Sequence, residues 1–219
     1  RFEIAKKKIE QIVDLLRSER LGLILFSGVA WVQCPLTTDL QAFKMFLNCA
    51  DPRVGGGGGT VLDKALSVAV DSFDLAGSGK SKLIVLYTDG EDFSMNLADV
   101  KSELKKQDIK LFATGVGTEE GGPIPILDKE EKIIGYEKNP DGSVAISRLN
   151  VNLLRTLATE LGGEFVSLAS DESDVHRIAS HVAQFEKEKF GEHVVERLQE
   201  RYYIFAFISF IALLIEWIL

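Results

Sequence analysis

The sequence predicts an α/β fold, a mostly parallel sheet with helices on both faces, followed by a C-terminal transmembrane helix. Three observations carry this expectation. Continuous apolar runs of strand length, LGLILFS (21–27), KLIVLYT (82–88) and KLFATGV (110–116), mark strands buried on both faces. Segments with apolar residues at helical spacing alternate with these runs, as they do when helices cover a parallel sheet. Residues 202–219, YYIFAFISFIALLIEWIL, hold a single ionisable group, Glu216. At about 1.5 Å per residue that run nearly spans a hydrocarbon core of roughly 30 Å.

Each element follows from local pattern. Ala5, Ile9, Ile12, Val13 and Leu16 repeat at helical spacing and give an amphipathic first helix. LGLILFS follows as a buried strand. After a tight Ser27-Gly28 turn, AWVQCPL (30–36) reads as an adjacent antiparallel strand, and residues 39–49 as a short helix. Gly55 to Gly59 lead into Thr60, the expected N-cap of a helix whose apolar stripe is Leu62, Ala65, Leu66, Ala69, Val70 and Phe73. KLIVLYT ends at Asp89-Gly90. Ser94 is placed as the cap of a helix reaching about Gln107, with lysines near its end where the dipole favours them. KLFATGV is the third buried strand. Residues 117–148 hold Gly121-Gly122-Pro123 and Asp141-Gly142 turns around short alternating stretches, the pattern of a small hairpin excursion. Leu153, Leu154, Leu157, Ala158 and Leu161 form a helix stopped by Gly162-Gly163. GEFVSLA (163–169) is the last strand, and Val175, Ile178, Ala179, Val182 and Phe185 line the last helix.

The expected organisation is a domain over 1–186, a charged stalk over 187–201 and a transmembrane segment over 202–219. Tyr202, Tyr203, Arg197 and Arg201 suit a membrane–water interface. The other reading of the tail is a buried helix, which would need apolar partners on every face. The opening RFEIAKKKIE is amphipathic and charged, unlike a signal peptide.

Composition narrows the function. Among 219 residues, 46% hydrophobic and 26% charged disfavour both disorder and a membrane-embedded bundle. With 25 Lys+Arg against 33 Asp+Glu, the net charge of -8 repels phosphate backbones and argues against nucleic-acid binding. Cys34 and Cys49 offer neither a disulfide scaffold nor a Cys-x-x-Cys zinc pair, and read as small buried apolar residues.

In a parallel sheet the working site lies beyond the carboxyl ends of the strands. There Asp89-Gly90-Glu91-Asp92 gathers three carboxylates. Hard divalent cations such as Mg2+ take oxygen ligands, so a strand-end Asp suits them; alternatively, these acids cap the following helix. Thr60, a hydroxyl at another helix N-terminus on the same rim, is the candidate second ligand. Other motifs fail. GSGKS (77–81) lacks the first P-loop glycine, since Asp74 occupies its place, and precedes a strand instead of opening a helix. No Lys follows the five glycines at P-loop spacing, and Gly115-x-Gly117 lacks a third glycine. His176, His181 and His193 do not stack on one helix face, and no activated nucleophile is visible.

At Thr60 and the string Thr88-Asp89-Gly90-Glu91-Asp92 the chain resembles a von Willebrand factor A domain, a Rossmann-like fold. More narrowly it is similar to the membrane-anchored bacterial Bat-type (aerotolerance) members. The strings RFEIAKKKI, LGLILFSGVAWVQCPLTTD, GGT (58–60), LIVLYTDGED, IKLFATGVGTEEGGPIPI and DGSVAISRLN carry the likeness. The resemblance implies a metal-ion-dependent adhesion site in which Thr60 and Asp89 help hold Mg2+ or Mn2+ and one position stays open for a partner's carboxylate. The Asp-x-Ser-x-Ser element of such a site is missing here. In the family it follows the first central strand, so that strand is expected to be absent, the sequence to be truncated at its N-terminus, and the sheet to be interrupted between LGLILFS and KLIVLYT. Cation binding by the chain as it stands is expected to be weak.

The function implied is a non-enzymatic, membrane-tethered interaction module that binds a partner's acidic side chain through its cation. The family association adds sibling A-domain proteins and a MoxR-type AAA+ ATPase as partners, at the bacterial inner membrane. The alternative is a membrane-bound Mg-dependent phosphohydrolase or nucleotide-dependent enzyme using Asp89, Glu91 and Asp92.

Overall fold

The structure is a computed structural model that describes residues 1–195 other than 17–18, 52–53, 55–60, 78–80, 92–93, 128–131, 140 and 169–170. The chain divides into two units, Arg1–Ala183 and Gln184–Leu219.

Three parallel strands form the larger sheet: β3 (Lys82–Thr88), β4 (Ile109–Gly115) and β9 (Phe165–Ser167), in that order. Lys82 lies opposite Ile109, Thr88 opposite Gly115, and Ala113 opposite Phe165. Because side chains alternate along a strand, β3 feeds two separate cores. Ile84 and Leu86 pack with Leu111 and Ala113 against α3 (Leu62–Leu75), α4 (Leu97–Lys106) and α5 (Val151–Glu160), through Leu66, Leu104 and Leu154. Leu83, Val85 and Tyr87 face the other way, toward Ile12 and Leu16 near the end of α1 (Phe2–Leu15) and Ile178 of α6 (Ser173–Val195). Helices therefore cover both faces, as the uninterrupted apolar runs predict.

A second, antiparallel sheet pairs β1 (Leu21–Phe26) with β2 (Ala30–Thr37). Among the described residues no ladder joins β1 to β3, so the sheet is interrupted where the sequence leads one to expect it. Leu23 and Cys34 from this pair pack with Val13 of α1 and with Phe43 and Leu47 of α2 (Leu40–Asn48). Asp39 caps α2, its carboxylate accepting the amides of Gln41 and Ala42. Of the two cysteines, Cys34 is buried as expected, but Cys49 is exposed at the end of α2.

The first and last helices are tied by charge as well as by packing. Lys8 on α1 bonds the Asp174 carboxylate of α6 at 2.7 Å and also donates to the Asp171 carbonyl. Lys8 is 8% and Asp174 3% exposed, so this is an ion pair of the interior. Close by, burial first and the charge of Asp174 second push the Tyr87 phenol far above its ordinary range.

Several local expectations change. The 117–148 excursion is two small antiparallel ladders instead of one hairpin: β5 (Gly122–Pro123) with β8 (Ile146–Ser147), and β6 (Pro125–Leu127) with β7 (Ile133–Tyr136). The outer ladder exists because residues 146–147 return to pair beside the start of the excursion, a long-range event that local alternation does not encode. The last strand covers 165–167 instead of 163–169, since its ladder extends only from Ala113 to Gly115 of β4. The N-cap of α3 is Val61, not Thr60, which lies outside the described residues. No described helix is long and apolar enough to cross a membrane; residues 202–219, expected to do so, also lie outside.

Candidate functional site

The carboxyl end of β3 is fixed before any side chain is considered. The Thr88 carbonyl accepts the Val116 amide at 2.8 Å, locking the strand end to the segment after β4. The Thr88 hydroxyl accepts the Gly90 amide at 3.2 Å. Gly90 has φ of 77°, and a Cβ there would stand 3.0 Å from both the Asn150 carbonyl and Leu154 Cγ, so only glycine fits this turn. The Asp89 carbonyl accepts the Asn150 amide at 2.8 Å, while the Asn150 side chain caps α5 at Leu153. Strand end and helix start are thereby one rigid corner.

On that corner the Asp89 carboxylate is held by both oxygens. Oδ1 accepts the Glu91 amide at 3.2 Å. Oδ2 accepts the Ser147 hydroxyl at 2.8 Å and lies 3.7 Å from the Arg1 guanidinium. Arg1 also donates to the Ser147 hydroxyl oxygen and, at 3.0 Å, to the Ser147 carbonyl. With its side chain 25% exposed, Asp89 is oriented without being sealed. Glu91 is used differently. Its carboxylate accepts the Arg148 amide at 3.0 Å, so it secures the excursion.

Next to this corner two helix N-termini cap each other. The Ser94 hydroxyl accepts the Asp63 amide at 2.8 Å, and Asp63 in turn accepts the amides of Asn96 at 3.1 Å and Lys64 at 2.7 Å. Ser94 therefore serves α3 and not, as its position before α4 suggests, its own helix, whose N-cap Asn96 makes no side-chain bond. Burial pushes the Asp63 carboxyl up, but the amides of Asn96 and Lys64, the Ser94 hydroxyl and the Met95 amide outweigh it and leave the group below its ordinary range.

Of the sequence-predicted ligands, Asp89 sits at this rim, while Thr60 and Asp92 lie outside the described residues. Among the described residues no group of three or more His, Cys, Asp or Glu could hold a metal. The donor set at Asp89 nevertheless suits a hard cation, since a carboxylate and the Ser147 hydroxyl are both oxygen ligands and such ions retain waters. Sequence reasoning missed Ser147 and Arg1. No spacing rule links either to Asp89; the only trace is that both sit in the RFEIAKKKI and DGSVAISRLN strings. A shallow cleft between α4 and α5, lined by Leu97, Lys101, Asn150 and Thr156 among others, carries no carboxylate, cysteine or histidine.

Comparisons with known proteins agree with this architecture. The model of the von Willebrand factor type A domain family matches residues 1–139. Among solved structures, the conserved hypothetical protein BatB from Bacteroides thetaiotaomicron is 30% identical, with 85% of this chain and 89% of that chain covered and a TM-score of 0.77. An aerotolerance-related membrane protein from Bacteroides fragilis is 28% identical, covering 86% and 89%, with a TM-score of 0.75. Proximal thread matrix protein 1 from the mussel byssus, solved with zinc in its MIDAS motif, shares the fold alone, at 20% identity, 84% and 42% coverage and a TM-score of 0.57. No curated protein matches. A family match over more than half of the chain, together with the extent of the likeness to BatB, places this protein in the von Willebrand factor type A family, in its Bat-type, aerotolerance-related group.

Proposed function

We propose that this protein is a non-enzymatic interaction module, tethered to the bacterial inner membrane by residues 202–219, that presents a divalent cation to an acidic side chain of a protein partner. Asp89 and Thr60 are its cation ligands, and Mg2+ or Mn2+ its cation. The observation that carries this reading is the Asp89 carboxylate at the carboxyl end of the parallel sheet, oriented through both oxygens yet 25% exposed. A cation there takes oxygen from the protein on one side and keeps a position for a partner's Asp or Glu on the other. That contact is charge-assisted, while the protein's net charge of -8 repels unselected acidic proteins. Partners of the class expected for the Bat-type group are sibling A-domain proteins and a MoxR-type AAA+ ATPase. The domain over 1–186 is joined to that tether by a charged stalk over 187–201.

The enzyme reading needs Asp89, Glu91 and Asp92 to converge on one metal. Glu91 instead spends its carboxylate on the Arg148 amide, which favours the binding module. Affinity capture from solubilised membranes tests the proposal. Partner recovery should require Mg2+, disappear with EDTA, and fall at least tenfold for Asp89→Ala, the loss of about 1.4 kcal/mol or more. Identical partners with Mg2+ and with EDTA would mean that recognition uses another face.

A further inference from the structure

We propose that Arg1 is a built-in competitor for the cation: its guanidinium and a divalent ion are alternative counter-charges for Asp89, and Ser147 is the residue through which they exchange. This rests on the reading of Asp89 as a cation ligand.

The geometry is specific. One guanidinium makes three contacts at one point: Asp89 Oδ2 at 3.7 Å, the Ser147 hydroxyl oxygen, and the Ser147 carbonyl at 3.0 Å. The three groups come from the start of α1, the end of β3 and the returning strand β8, so no local sequence constraint brings them together. Arg1 itself is held at the helix start, its carbonyl accepting the Ala5 amide at 3.0 Å. The seat of the guanidinium is shaped by backbone. Gly117, with φ of 134°, would place a Cβ 3.2 Å from Arg1 Cζ, and Gly122 would place one 3.7 Å from Nη2. A side chain at 117 would be both strained and pressed against the guanidinium.

Ser147 links the two charges. Its proton is used on Asp89 Oδ2, and its oxygen accepts from Arg1. Oδ2 therefore has a hydroxyl proton and a guanidinium already assigned to it. A divalent ion bound about 2 Å from Oδ2 stands no more than about 6 Å from the guanidinium nitrogen that lies 3.7 Å from the same oxygen, and like charges at that range repel in a partly buried site. Binding the ion thus favours departure of Arg1, and by linkage Arg1 weakens the ion's affinity to the same degree that the ion weakens the Arg1–Asp89 contact. In the absence of cation the arginine neutralises the acidic corner. Cation uptake then frees a basic side chain at the rim.

The test uses the full chain in mild detergent and Mn2+ as the probe. Free hexaaqua Mn2+ is followed by electron paramagnetic resonance, for the wild type and for Arg1→Gln, Arg1→Lys and Asp89→Ala. Arg1→Gln should bind Mn2+ about threefold to tenfold more tightly, in line with removal of a partly exposed ion pair, and Arg1→Lys should stay near the wild type. In the unmodified chain, Mg2+ should move the Arg1 Nε–H resonance toward its solvent position, a shift absent in Asp89→Ala. An Arg1→Gln chain that binds Mn2+ no more tightly than the wild type, or an Arg1 resonance unmoved by saturating Mg2+, overturns the inference. If Arg1→Gln fails in this way while Asp89→Ala still abolishes binding, the cation-site reading stands without the competitor. If Asp89→Ala binds as well as the wild type, the cation-site reading itself falls.

Discussion

Asp63 and Ser94 show how single residues set the site's surroundings. Each satisfies an amide at the start of the neighbouring helix, and Asp63 also accepts the Lys64 amide of its own. A Ser or Asp cap is worth about 1 kcal/mol. The lowered pKa of Asp63 gives its contribution a sign. A carboxyl whose folded pKa lies below its ordinary value stabilises the fold above that ordinary value, about 4, and loses the contribution as pH falls through the lower folded value. Asp63→Asn should therefore lower stability at pH 7 and flatten the acid limb of the stability profile below about pH 4. Urea midpoints between pH 7 and 3 check this, and a variant with the wild type's acid slope contradicts it. The sequence shows Ser94 as a cap but not its recipient, because capping rules are local and the amide it serves is 31 residues away. Asp89 is legible for the opposite reason: a polar residue directly after a buried apolar run stands at a strand end. Ser147 is not, since its partnership with Asp89 depends on where a long excursion returns.

Among elements, the long apolar runs are the most legible. KLIVLYT and KLFATGV become β3 and β4 almost residue for residue, since burial on both faces leaves one composition available. The excursion and the three-residue β9 are less so, because their lengths are decided by what they pair with. The pairing of α1 with α6 has an element that pattern reading misses altogether, the interior Lys8–Asp174 ion pair. Removing one partner strands a charge in the interior. Asp174→Ala should cost about 3–5 kcal/mol, whereas the joint replacement Lys8→Met with Asp174→Leu should be near neutral or stabilising. Denaturant unfolding of the two variants separates these outcomes. Equal destabilisation by both would mean that the ion pair does more than neutralise itself.

At the scale of the whole molecule, the interruption between β1–β2 and β3–β4–β9 places the open corner of Asp89 on the strand next to the break. Under the proposed function, the net charge of -8 favours uptake of a cation at Asp89 and repels acidic proteins that do not meet that cation. Both consequences depend on Asp89 acting as a ligand and not merely as an acid at a helix start. Calorimetric titration of Mg2+ and Mn2+ into the full chain and into Asp89→Ala tests this most directly. Weak saturable binding to the wild type is expected, with its loss in Asp89→Ala and an unfolding free energy without cation unchanged to within about 1 kcal/mol, the range of a partly exposed ion pair. Equal cation affinity in the two proteins would contradict this and leave Asp89 as a structural acid held by Arg1 and Ser147.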